Sequence, residues 1–117
     1  MSHPQLMPIR LTLAATCATA LLHAAPALAQ QAAEVQLSYS NGAFQPSELR
    51  APADKPVVFR VKNLDAKAME FESKSLRVEK VVAAKSEGVI NVRPLKPGRY
   101  EFYDDFNQKA RGVLNVQ

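Results

Sequence analysis

Two acidic pairs stand out in this 117-residue chain: Glu70 and Glu72, flanking Phe71, and the adjacent Asp104 and Asp105. Carboxylate oxygens are hard donors, which suit a hard cation such as ferric iron and also accept Cu(II). Side chains at i and i+2 of an extended strand share a face but stand about 7 Å apart. Glu70 and Glu72 therefore hold one cation only with a third ligand, which Asp104 or Asp105 can supply. The same alternation allows a plainer reading, with both glutamates facing solvent opposite a buried Phe71. Met69, next to Glu70, offers a thioether, although methionine also fills irregular gaps in cores.

What the rest of the chain lacks narrows the chemistry further. Both histidines (His3, His23) and the only cysteine (Cys17) fall within residues 1–29. That stretch reads as a cleaved signal peptide: Arg10 gives a positive start, Leu11 to Leu22 is nearly free of charge, and Ala27-Leu28-Ala29 precedes Gln30 in the small-x-small pattern of a cleavage site. The apolar run is shorter than the ~20 residues of a membrane-spanning helix. The expectation is an exported, periplasmic protein that begins at Gln30 after cleavage and is soluble. Without Cys and His, residues 30–117 have no disulfide, no Cys–His or Ser-His-Asp nucleophile, no Cys/His zinc site and no type 1 copper site. The fifteen basic and eleven acidic residues give a net charge of +4, of which Arg10 leaves with the leader, so residues 30–117 carry +3. The cations are scattered singly among acids from Arg50 to Arg111, which argues against nucleic acid as a partner.

The elements that must position the acids follow from period-two patterning. Residues 30–33 read as a short flexible lead-in and 34–117 as one domain. Val35, Leu37 and Tyr39 alternate with polar residues as a half-buried strand, Asn41-Gly42 marks a turn, and Glu48 to Ala51 is a short extended piece. Val57, Phe59 and Val61 face opposite Val58, Arg60 and Lys62 in the clearest strand. Further strands are expected over Met69 to Ser73, Leu76 to Ala83, Gly88 to Val92 and Arg99 to Asp105, where Tyr100, Phe102 and Asp104 share a face. Asn107 to Arg111 reads as a polar loop and Gly112 to Val116 as the closing strand. Phe44, Phe59, Phe71 and Phe102 are assigned to the core, Asn63 to fixing a turn through its amide, Glu79 to an exposed strand face, and Tyr100 and Tyr103 to core and rim packing. Short strands at 8–12-residue spacing without a helical period specify an all-β, antiparallel Greek-key β-sandwich.

The order Phe44-x-Pro46, Val57-x-Phe59-x-Val61-x-Asn63, Met69-Glu70-Phe71-Glu72-Ser73, Pro94-Leu95-x-Pro97-Gly98-x-Tyr100-x-Phe102 and Arg111-Gly112 resembles the cupredoxin-like periplasmic proteins of bacterial iron uptake. These are the FtrB-like proteins and, further off, the cupredoxin domain of EfeO-type proteins. The resemblance covers Val35 to Val116. It implies a cupredoxin-like fold and a metal-binding accessory role, with possible ferroxidase-type assistance rather than an enzyme activity of its own. The implied cofactor is an iron or copper ion, and the implied partners are an inner-membrane iron permease and a periplasmic iron-binding protein. Carried over by position, Glu70 and Asp104 become the leading metal ligands, with Glu72, Asp105 and Met69 beside them. Phe44 and Asp104 stand where EfeO-type domains have cysteines, and Asn107 stands where small relatives have histidine. The missing Cys and His argue against a one-electron carrier. The competing reading is a metal-free, immunoglobulin-like periplasmic interaction module, since a sandwich alone does not specify function.

Overall fold

The computed structural model describes residues 2–10, 12, 14–20 and 31–117, and the expected cleavage site at Ala27 to Gln30 lies outside the described residues. No helix among the described residues is long and apolar enough to cross a membrane. Among the described residues alternating apolar positions produce nine strands: β1 (Ala33–Ser40), β2 (Ala43–Gln45), β3 (Glu48–Ala51), β4 (Val57–Asn63), β5 (Met69–Ser73), β6 (Val78–Val82), β7 (Glu87–Val92), β8 (Gly98–Asp104) and β9 (Asn107–Val116). They form two sheets, ordered β2-β1-β4-β7 and β3-β9-β8-β5-β6. The result is an all-β, two-sheet sandwich.

The pairing is mixed where the sequence suggested antiparallel strands throughout. β1 runs parallel to β4, with Val35 opposite Phe59, and β3 runs parallel to β9, with Leu49 opposite Leu114. A hairpin can join only antiparallel strands. Between β1 and β4 the chain instead crosses to the other sheet, lays down β3 and returns, which brings β4 alongside β1 in the same direction. The other departure is β9, which already begins at Asn107, in what the polar composition suggested was a loop. Its outward polar residues lie in a two-stranded hairpin with β8, where Tyr103 pairs with Arg111 and Phe102 with Gly112. Polarity there marks a solvated strand face.

The four expected core phenylalanines tie the sheets together. Phe44 and Phe59 come from the first sheet, Phe71 and Phe102 from the second, and all are buried. Phe71 and Phe102 stack at 5.0 Å, Phe44 meets Phe102 edge-on at 5.1 Å, and Phe59 meets Phe71 at 5.2 Å. Such ring pairs contribute about 0.5–1.5 kcal/mol each beyond the area they bury. Gly112 of β9 faces Phe102 across the ladder within the second sheet, and a Cβ there would run into the Phe102 ring.

Asn63 ends β4 with its side chain buried. Its Nδ2 donates to the carbonyls of Lys67 at 2.8 Å and of Val82 and Ala83 at 3.2 Å, while its Oδ1 accepts from the Asp65 N–H. Asp65 in turn accepts from the N–H groups of Asn41 at 2.7 Å and Gly42 at 3.2 Å. Both turn residues have positive φ, 52° and 69°, and this left-handed geometry suits Asn and Gly. One end of the sandwich is thereby fixed, and it is the end that carries the junction of β8 and β9.

Candidate metal centre

Adjacent residues of an extended chain point to opposite faces, and this separates Asp104 from Asp105. Phe71 pairs with Asp104 and Glu72 with Tyr103 across β5 and β8. Asp104 therefore shares the inward face of Phe71, while Glu72 and Tyr103 share the outward one. The Asp104 carboxylate is buried and accepts three hydrogen bonds. The Tyr39 hydroxyl donates to Oδ2 at 2.6 Å, and the N–H groups of Glu70 and Phe106 donate to Oδ1 at 2.9 and 3.0 Å. Asp105 goes the other way, its N–H donating to the Glu70 carbonyl at 2.9 Å. The β5 backbone at Glu70 is thus held between the two aspartates.

On the outer face the side chains of Glu70, Glu72 and Asp105 converge, each presenting a carboxylate oxygen within 4.8 Å of the others. Among the described residues this is the one such convergence of three potential ligands. Glu79 adjoins it from β6, where it pairs directly with Glu72. Two of these carboxyls, Glu70 and Glu72, are shifted by their surroundings. Burial, a hydrogen bond shared with Glu79 and the charges of Glu79, Asp105 and Glu72 raise the Glu70 pKa above its ordinary value. Burial, the charges of Asp105 and Glu79 and a hydrogen bond with Asp105 raise that of Glu72, against a smaller opposing effect of Lys74. Like charges packed this closely resist ionising together, and a cation among them relieves the repulsion. Gln108 donates to Asp105 Oδ1 at 3.2 Å and steadies that side of the group.

Two of the residues expected as ligands stand apart. Met69 is fully enclosed in the core, where its thioether fills space between the sheets. The structure sets Asp104 and the Glu70 carboxylate apart: the Asp104 oxygens accept from Tyr39, Glu70 N–H and Phe106 N–H on the inner side, and the Glu70 carboxylate lies on the outer side. Asp105, also among the expected ligands, is the aspartate that meets Glu70 and Glu72. Glu79, read from the sequence as an exposed strand residue, is exposed on β6 and faces Glu72 across the ladder. That register, which brings it beside the cluster, is not stated by a single sequence. Tyr103 sits at the rim, its pKa raised by burial and then by Glu72 and Asp105, with Arg111 opposing.

A family model for the cupredoxin-like domain matches residues 11–116. An uncharacterized protein of Rickettsia prowazekii (strain Madrid E), RP394, is 35% identical over 84 residues, covering 71% of this chain and 67% of that protein. Among solved structures, the metal binding domain of the Streptococcus pneumoniae D39 Cu(I) exporting P-type ATPase CopA superposes with a TM-score of 0.65 at 16% identity, over 72% of this chain and 84% of that one. Auracyanin A, a "blue" copper protein from Chloroflexus aurantiacus, superposes with a TM-score of 0.63 at 13% identity, over 74% of this chain and all of the other. These likenesses establish the fold. The copper of a blue protein does not fit here: residues 31–117 contain neither Cys nor His, the Met69 thioether is enclosed, and Asp104 is fully engaged in hydrogen bonds.

Two outcomes follow from these protonation equilibria. A carboxyl group whose pKa is raised on folding stabilises the fold below its unfolded value and loses that contribution as pH rises through the folded value. The metal-free protein should therefore gain stability from Glu70 and Glu72 on going from pH 7 to roughly pH 5, and Glu72→Gln should be at least as stable as wild type at pH 7 and show a flatter pH dependence. Urea unfolding at the two pH values measures this, and a clear loss of stability in Glu72→Gln at pH 7 would contradict it. The Tyr39 hydroxyl, pushed up to about 12 by burial and then by the hydrogen bond and charge of Asp104, stabilises the fold below pH 10 and ceases to do so as pH rises through 12. Tyr39→Phe should cost about 1–3 kcal/mol at pH 7, because a buried acceptor loses a donor, and should lessen the alkaline loss of stability above pH 10.

Proposed function

The chain belongs to the cupredoxin-like domain family, and we propose that it is an exported, periplasmic metal-binding protein that holds iron, with copper as second metal, for an inner-membrane iron permease. The observation that carries this reading is the convergence of the Glu70, Glu72 and Asp105 carboxylates within 4.8 Å on the outer face of the second sheet. An all-oxygen donor set favours a hard ion such as Fe(III), takes Cu(II) less tightly than sites with nitrogen or sulfur donors do, and is a poor match for Cu(I). The copper named for the structural neighbours supports a metal role for the fold, while the donors of this chain favour iron. The raised pKa values of Glu70 and Glu72 add a thermodynamic motive, since the cluster is strained by its own charge until a cation enters. Delivery to a permease, together with a periplasmic iron-binding protein, rests on the resemblance to bacterial iron-uptake proteins.

Calorimetric titration with Fe(III), supplied as its nitrilotriacetate complex, and with Cu(II) tests the reading. Glu70→Gln, Glu72→Gln and Asp105→Asn should each weaken binding by at least the ~10–100-fold that loss of even an outer-shell partner costs. Affinity should also fall as pH drops, beginning above the ordinary carboxylate range, because protons compete for these oxygens. If the three variants bind as wild type does, or if wild type binds neither metal, the acids belong to a solvated face and the metal-free interaction module becomes the better account.

A further inference from the structure

Beside the acidic cluster, the outer face of β8 and β9 carries charge of the opposite sign. A groove of about 470 Å³ there is lined by Lys74, Arg99 and Arg111, with Glu101, Tyr103 and Gln108. A second depression of about 320 Å³ continues it past Arg99, Glu101 and Arg111. Arg99 opposes Asn115 in the ladder and Tyr103 opposes Arg111, so both guanidinium groups belong to the same outward surface. Three cations and one acid share the groove, yet the ion pairs found among the described residues are those of Arg60 with Glu34 and Glu87. Glu101 thus closes no salt bridge with either arginine. Arg111 is preorganised, its guanidinium lying over the Tyr103 ring at 5.1 Å from the centroid.

We propose that this groove binds a small multivalent oxyanion, a polycarboxylate or a polyphosphate. Exposed side chains with unpaired like charges on one wall repel one another, and an anion between them replaces repulsion with charge-assisted hydrogen bonds. Guanidinium forks match both carboxylate and phosphate oxygens in pairs. The groove volume exceeds what a single inorganic phosphate fills and admits a molecule with several anionic groups. Tyr103 and Gln108 form the wall shared with the acidic cluster, since Gln108 donates to Asp105 and Tyr103 pairs with Glu72. An anion in the groove therefore lies next to the carboxylates, which oppose it until their charge is neutralised. One consequence, which rests on the metal reading above, is that a cation and its anionic chelator would be held side by side.

Titration calorimetry of the metal-free protein with citrate and with pyrophosphate, at low salt, tests the groove separately from the metal site. Wild type should bind at least one of them, the tighter of the two identifying carboxylate or phosphate as the recognised class. The double variant Arg99→Gln/Arg111→Gln should lose tenfold or more, and Lys74→Gln several-fold. Glu72→Gln, which removes a neighbouring negative charge as a bound metal would, should gain several-fold. Circular dichroism and unfolding of each variant secure that the fold is kept, and Lys74→Gln stands in if the double variant unfolds. If neither anion binds to wild type or to Glu72→Gln, or if the arginine variant binds as wild type does, the groove is not an anion site. Anion binding that follows these expectations in a protein that takes up no metal would leave the groove standing and overturn the metal reading. Loss of the anion arms with metal binding intact would do the reverse.

Discussion

The carboxylate of Asp104 is the point on which the arrangement turns. It takes one hydrogen bond from Tyr39 of the first sheet, one from the backbone of Glu70 on the neighbouring strand of the second, and one from Phe106 in the turn between β8 and β9. A buried carboxylate is costly unless its oxygens are satisfied, and when satisfied by charge-assisted bonds it holds its donors firmly. Here the donors come from both layers and from the turn. The same contacts fix the register of the chain at Asp105, which must then point outward, with its N–H on the Glu70 carbonyl. The inward aspartate thus builds the place in which the outward one meets Glu70 and Glu72.

The outer face of the second sheet is divided by charge as a result. Toward β5 and β6 it gathers Glu70, Glu72, Glu79 and Asp105, and toward β8 and β9 it gathers Arg99 and Arg111, with Tyr103 at the boundary. Opposite charges on neighbouring strands usually pair across the ladder and contribute to the sheet. In this sheet Glu72 faces Glu79 instead, and the arginines close no ion pair. A surface that forgoes cross-strand pairing in this way holds like charges together at a cost in stability, a pattern expected where ligands of opposite charge complete the site. The net charge of +4 conceals this separation altogether.

Much of this was legible in the sequence. The strands over Glu48–Ala51, Val57–Lys62 and Met69–Ser73 followed from alternation and turn residues, as did the four core phenylalanines and the turn-fixing amide of Asn63. The shared face of Tyr100, Phe102 and Asp104 was equally legible. The positional likeness to iron-uptake domains pointed to Asp104 as well as Asp105, because a family correspondence carries residue position and not side-chain direction. Two other features were out of reach. The parallel pairs β1–β4 and β3–β9 depend on which sheet each strand joins, and the approach of Glu79 to Glu70 and Glu72 depends on register. Both are set by packing across distant segments, which local periodicity does not encode. The extension of β9 back to Asn107 was missed for a simpler reason: a solvated strand face and a loop have the same polar composition.

The most direct measurement is an anomalous-difference map at the iron edge from crystals of residues 30–117 loaded with Fe(III). The account predicts a peak on the outer face, within bonding reach of carboxylate oxygens of Glu70, Glu72 and Asp105, with the Asp104 carboxylate still held by Tyr39. A peak at Asp104 itself, with the Tyr39 hydrogen bond broken, would contradict it.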